Sequence, residues 1–134
     1  MRREFDLPAE DVTFLDREVA SWEAIRSGNM MWILIYDYEI PDQYVQGKVT
    51  MAINISGNYP VEKLDMVYFS PSISRRDGKI IPQTQHTVLV DGTPYQRWSR
   101  HYTAQNPWKS GEHSIETHYY LIANWLEREF ERRP

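Results

Sequence analysis

Met30-Met31-Trp32-Ile33-Leu34-Ile35-Tyr36-Asp37-Tyr38, followed after a turn by Val49-Thr50-Met51-Ala52-Ile53-Asn54-Ile55, decides the fold class. The first stretch is apolar on both alternations and rich in β-branched and aromatic residues, which predicts a central strand covered on both faces. The second alternates, with Val49, Met51, Ile53 and Ile55 on one face and Thr50, Ala52, Asn54 and Ser56 on the other, as a half-exposed strand does. Upstream, Ser21 to Arg26 reads as a strand joined to the first by Ser27-Gly28-Asn29. Downstream, Gly57-Asn58-Tyr59-Pro60 breaks the chain, Leu64 to Ser70 reads as a fourth strand, and Pro71 closes it. Four successive strands with short connections predict an antiparallel meander.

Helical periodicity flanks the meander. Pro8 suits a first helical position, Glu10 and Asp11 suit the positive end of the helix dipole, and Val12, Leu15 and Val19 recur at helical spacing. At the other end, Ile115, Tyr119, Ile122, Leu126 and Phe130 form an apolar stripe that Ala123 and Trp125 widen, predicting one long helix over Gly111 to Arg133. Ser110 or Gly111 suits its cap, and Arg128, Arg132 and Arg133 suit its negative end. Between Pro71 and Gly111 the chain reads as irregular, with turns at Arg76-Asp77-Gly78 and Val90-Asp91-Gly92 around a small apolar run, Thr87 to Val90. The sum is an α+β fold: a short N-terminal helix, a four-strand antiparallel meander, an irregular segment and a long C-terminal helix on one sheet face.

The 134 residues suffice for a single domain, 1–134, with its own core. Hydrophobic residues at 41% and aromatics at 13% exclude a disordered chain. The absence of cysteine excludes disulfides, thiolate metal sites and any thiol nucleophile. A net charge of −4 argues against a general polyanion binder. The segment Gly92 to Gly111 is nevertheless +3, through Arg97, Arg100 and Lys109. The first residues carry charge and no apolar signal, and Met30 to Tyr36 is too short to cross a bilayer, so the expected location is cytoplasmic, away from membranes.

The order of elements, with the Tyr59-Pro60 turn ahead of the fourth strand, resembles the ubiquitin-conjugating (UBC) fold over roughly Leu7 to Phe130. Two motifs are similar to the bacterial family E of prokaryotic ubiquitin-conjugating-like proteins. They are Leu7-Pro8-Ala9-Glu10-Asp11-Val12-Thr13-Phe14-Leu15 and Trp98-Ser99-Arg100-His101, the latter followed by Trp108 and the long helix. The resemblance implies a UBC-like fold and two partners, an adenylating activating enzyme and a ubiquitin-like protein. Two departures stand out. Where the broader family has His-Pro-Asn, with the Asn steadying the oxyanion, this chain reads Ser70-Pro71-Ser72, and the family's cysteine is missing. Counting back from Trp108 by the family's spacing reaches Arg100, next to Ser99.

A serine hydroxyl needs a base within reach to attack an adenylate or ester carbonyl. In an extended segment Ser99 and His101 share a side, so His101 is the candidate base. Arg97 and Arg100 are candidates for holding a carboxylate, a phosphate or an oxyanion, with Trp98, Tyr102 and Trp108 lining a groove for a peptide tail. The catalytic set is thus Ser99, His101 and Arg100, and the binding set Arg97, Trp98, Tyr102 and Trp108. The plain alternative buries Trp98 and leaves Ser99 and His101 bonded to backbone in an irregular loop.

Other constellations are weaker. His113 and His118 lie about 140° apart on a helix, which is no two-histidine metal face, and no metal or cofactor is expected. Asp91 or Glu112 is the candidate third member of a triad, although Asp91 also suits an Asp-Gly turn. Arg75, Arg76 and Lys79 make a basic loop. Three readings of function follow: acyl transfer through a serine oxyester, a UBC-variant scaffold that docks the same partners without covalent chemistry, and single-stranded nucleic-acid binding by the basic aromatic segment.

Overall fold

Pro8 leads into α1 (Ala9–Glu18), with Glu10 and Asp11 in its first turn, in a computed structural model that describes residues 1–134. Behind it run β1 (Ser21–Ser27), β2 (Met30–Glu39), β3 (Lys48–Ile55) and β4 (Val67–Ser70), each antiparallel to the next. This is the expected meander. The sheet then grows by a hairpin, β5 (Thr87–Val90) and β6 (Thr93–Trp98), and its strand order is β1-β2-β3-β4-β6-β5. The hairpin turn is Asp91-Gly92, with φ of 53° and 78°, the pair of positive values that favours Asp-Gly in a tight two-residue turn.

The region read as irregular therefore contributes two strands. Pro94 and Arg97 hide the alternation of β6, which places Tyr95 on one face and Gln96 and Trp98 on the other. A long loop from Pro71 to His86 lets β6, the later strand of the hairpin, pair with β4.

β2 is buried on both faces, as its composition requires. Ile33 and Ile35 join the main core with Met51, Ile53, Val67, Phe69 and Trp98. Trp32 and Leu34 join a second cluster with Tyr68, Val90 and Tyr95. The sheet curls enough to cover that second face: the Asp91 N–H donates to Ser27 Oγ at 3.0 Å and the Asp91 carboxylate pairs with Arg2 at 2.9 Å, joining the far hairpin to the β1–β2 end.

α2 (Ile115–Arg132) lays Ile115, Ile122 and Leu126, all at most 1% exposed, on the main core. It begins at Ile115 rather than Gly111, because Ser114 takes the cap position with its N–H donating to Thr117 Oγ1 at 2.9 Å. The Ile115 N–H is satisfied from outside the helix, by Asp11 Oδ1 at 3.2 Å and the Tyr59 hydroxyl at 3.0 Å. Tyr59 in turn donates to Asp11 Oδ2 at 2.7 Å, tying α1, the Tyr-Pro turn and α2 together. Burial pushes the Asp11 carboxyl up, against the hydrogen bonds from Tyr59 and Ile115. Tyr59→Phe removes one bond to that buried carboxylate and is expected to cost on the order of 2 kcal/mol in denaturant unfolding, with an unchanged midpoint contradicting the tether.

Candidate active site

β6 ends at Trp98, which is fully buried against Tyr44 and Phe69. That buried indole anchors the segment after it at the protein surface. Ser99 N–H donates to Gln83 O at 3.0 Å, so the serine is fixed through its backbone. Its Oγ lies 3.2 Å from Nε2 of His101. Nδ1 of His101 lies 3.1 Å from both carboxylate oxygens of Asp65. A carboxylate only accepts, so Nδ1 carries a proton, and in the neutral ring Nε2 presents a lone pair to the serine hydroxyl. Ser99, His101 and Asp65 thus form a linear relay of the serine-hydrolase kind. The histidine side chain is 51% exposed and the aspartate 28%, so the relay is open to solvent.

Asp65 stands where the sequence offers Asp91 and Glu112 as the third member. Asp91 sits in the hairpin turn beside Arg2 and Ser27, and nothing joins Glu112 to the relay. What moves Asp65 into place is the early end of β4. Leu64-Asp65-Met66 read as strand, but Met66 has φ of 57°, a left-handed value that stops the pleat and costs a non-glycine residue roughly 1 kcal/mol. Two bonds hold it there. Its N–H donates to Arg100 O at 3.0 Å, and its carbonyl accepts from His118 Nε2 at 2.9 Å. The β4–β6 register pairs Val67 with Trp98, so its continuation brings Asp65 beside Arg100.

His118 is fully buried, and its tautomer follows from its partners. A carbonyl only accepts, so Nε2 is protonated and Nδ1 accepts from the Tyr102 hydroxyl at 2.8 Å. Burial holds the imidazole down to about 4 from an ordinary 6.5, against the opposing pull of the Met66 carbonyl and the Asp65 charge. The unfolded chain therefore takes a proton here that the folded chain refuses. Stability from this group is complete above pH 6.5 and is lost as pH falls toward 4. Between pH 6.5 and 5 the loss is expected to be about 2 kcal/mol, read from urea midpoints. His118→Gln, which keeps an N–H for Met66, should flatten that slope, and an unaltered slope would assign it to another group.

The remaining expected site residues divide. Arg100 is mostly buried over the Trp98 ring, at 4.8 Å, with Nη1 donating to Pro82 O and Ser99 O, both at 3.1 Å. It holds the serine's carbonyl. Trp98 and Arg97 depart from expectation. Trp98 is a core residue, and Arg97 pairs with Tyr68, a member of the second cluster, on the opposite face from Trp98. The basic aromatic stretch is therefore not one surface. Tyr102 and Trp108 come together, rings 5.3 Å apart, but inside an aromatic cluster with His113, His118 and Tyr59 rather than as groove walls. Trp108 Nε1 donates to Pro60 O at 3.1 Å, fastening this cluster to the Tyr-Pro turn.

Beside the relay opens a cleft of about 520 Å³, with Ser99 and His101 among its lining residues and the outer stripe of α2 as another wall.

An α+β chain with a short first helix, an antiparallel meander in a curled sheet, a Tyr-Pro turn and a long closing helix has the architecture of ubiquitin-conjugating-like proteins. The family model of prokaryotic E2 family E matches residues 7–129, and the chain belongs to that family. Searches among curated proteins and among solved structures return no match. Such E2-like membership implies, in general terms, ubiquitin-like proteins and activating enzymes as partners. No helix is long and apolar enough to cross a membrane.

Proposed function

We propose that this chain accepts the C-terminal tail of a ubiquitin-like protein from an adenylating activating enzyme and carries it as an oxyester on Ser99. The observation that carries this reading is the relay: Ser99 Oγ at 3.2 Å from His101 Nε2, and His101 Nδ1 at 3.1 Å from Asp65. In an E2-like chain without cysteine, an activated hydroxyl is the replacement that keeps acyl transfer intact. The Ser99 Oγ–H proton passes to His101 Nε2 as Oγ bonds to the tail carbonyl carbon, and the bond from that carbon to the group that activates it breaks, the electron pair leaving on that group. Asp65 stabilises the imidazolium that forms, and Arg100 steadies the serine backbone through its carbonyl.

The test mixes the protein with an activating enzyme, its ubiquitin-like protein and ATP and reads intact mass. An adduct at the sum of the two masses less one water, stable to thiol reductants and released by hydroxylamine, is expected. No adduct with an activating enzyme shown to be competent supports the scaffold reading instead, in which the same surface docks the tail without a bond.

A further inference from the structure

α2 places Leu121, Trp125, Arg128 and Arg132 on one stripe, at successive steps of four, three and four residues, and all four line the cleft beside Ser99 and His101. The lining carries four arginines against one glutamate, a net of +3 on a chain whose total is −4. Two of the arginines are already engaged: Arg133 bonds Glu129 in a bidentate pair, and Arg100 is held by Pro82 and Ser99 carbonyls. Arg128 and Arg132 are exposed and make no hydrogen bond or ion pair within the chain. One turn apart on the same side of the helix, they offer two guanidinium forks to one anion. Leu121 and the half-buried Trp125 indole add an apolar floor against which a planar ring can stack.

Two free forks match the several terminal oxygens of a phosphate, and an aromatic floor is of no use to a bare phosphate. Together they fit a phosphate monoester attached to a flat heterocycle, and the cleft is large enough for a small molecule of that size. We propose that the cleft binds a nucleoside monophosphate, the leaving group of an acyl adenylate that is the donor to Ser99. This rests on the oxyester reading above and deepens it by naming the donor. In the step, the Oγ–acyl carbon bond forms and the bond from acyl carbon to phosphate oxygen breaks. The hydroxyl proton goes to His101 Nε2, and the electron pair leaves on the phosphate, whose growing charge Arg128 and Arg132 stabilise.

AMP titrated into the protein alone, followed by Trp125-sensitive fluorescence and by calorimetry, tests this. Saturable binding is expected, at least ~10-fold tighter than adenosine or inorganic phosphate, with Arg128→Ala plus Arg132→Ala weakening it ~10-fold or more at an unchanged melting temperature. Trp125→Leu should remove the preference for AMP over phosphate. No saturation at millimolar AMP, equal affinity for phosphate, or full affinity in the double arginine variant overturns the proposal. So does a Gly-Gly-terminated peptide or a single-stranded oligonucleotide that needs these arginines while AMP does not bind. Ser99→Ala separates the two claims, because it should lose the adduct and keep AMP binding. An adduct without AMP binding removes only the cleft, and AMP binding without an adduct removes only the oxyester.

Discussion

Ser99→Ala is expected to abolish the proposed adduct with a ubiquitin-like protein outright. The chain has no cysteine to take over, and Ser99 is the hydroxyl within 3.2 Å of the imidazole nitrogen that holds a free lone pair. Variants elsewhere in the relay should slow the reaction instead. His101→Ala removes the proton acceptor and should cost ~10²-fold in rate or more. Asp65→Asn should cost a comparable factor, because an amide can donate to Nδ1, turn the ring to the other tautomer and leave Nε2 protonated against the serine. Rates come from single-turnover appearance of the intact mass, and peptide mapping places the bond. An adduct that forms at full yield in Ser99→Ala, or that maps to Lys109, would take Ser99 out of the mechanism.

The relay shows which part of the site was legible in the sequence. Ser99 and His101 are two residues apart in an extended segment, and local geometry alone brings such a pair to one side. Asp65 is 36 residues from His101. It reaches the histidine only because β6 pairs with β4 and because Met66 leaves the strand conformation, and neither feature has a local signature. Met66 is unbranched, apolar and leads into the strand-like run Val67-Tyr68-Phe69, so its left-handed backbone is imposed by the bonds to Arg100 and His118. Tertiary contacts override propensity there.

The same contrast runs through the fold. β3 and α2 follow from period, since each buries a repeating face against a core that the remainder of the chain supplies, and β2 follows from a run apolar on both alternations. β6 escaped because one side of it carries Tyr95 and Arg97 and the other Gln96 and Trp98, a mixture of polar and apolar on both faces. Its buried Gln96 is satisfied by the long loop, accepting from Ile73 N–H at 2.9 Å and donating to Ile73 O at 3.2 Å. A polar residue paired that way is invisible to a hydrophobic pattern. The cleft stripe was equally hidden: Arg128 and Arg132 read as complements to the helix dipole, and only the neighbouring loop turns their face into a wall.

Glu129→Gln is expected to destabilise the protein by about 3 kcal/mol, a fall of on the order of 10 °C in melting temperature. The Glu129 side chain is fully buried on α2 and meets three arginines: Arg133 as its bidentate partner, Arg75 at 3.4 Å and Arg100 at 3.7 Å. Burial pushes its carboxyl up, but the hydrogen bonds from Arg133 and the positive charges around it outweigh that, and the net direction is down. The stabilisation is accordingly present above the ordinary glutamate range and lost as pH falls through the lowered value, a window below that of His118. An amide keeps the shape but leaves three guanidiniums facing one another, with Arg75 only 1% exposed and its remaining charge partner Asp77 at 2.6 Å. Adding Arg75→Met to Glu129→Gln should then cost less than the two changes summed, because each removes the reason for the other's penalty. Strict additivity would show that Arg75 and Glu129 do not act together, and a melting temperature unmoved by Glu129→Gln would show that the cluster contributes no net stability. The consequence reaches the candidate site, since Arg100, held between Glu129 and the Ser99 carbonyl, is the link through which the end of α2 fixes the backbone of Ser99.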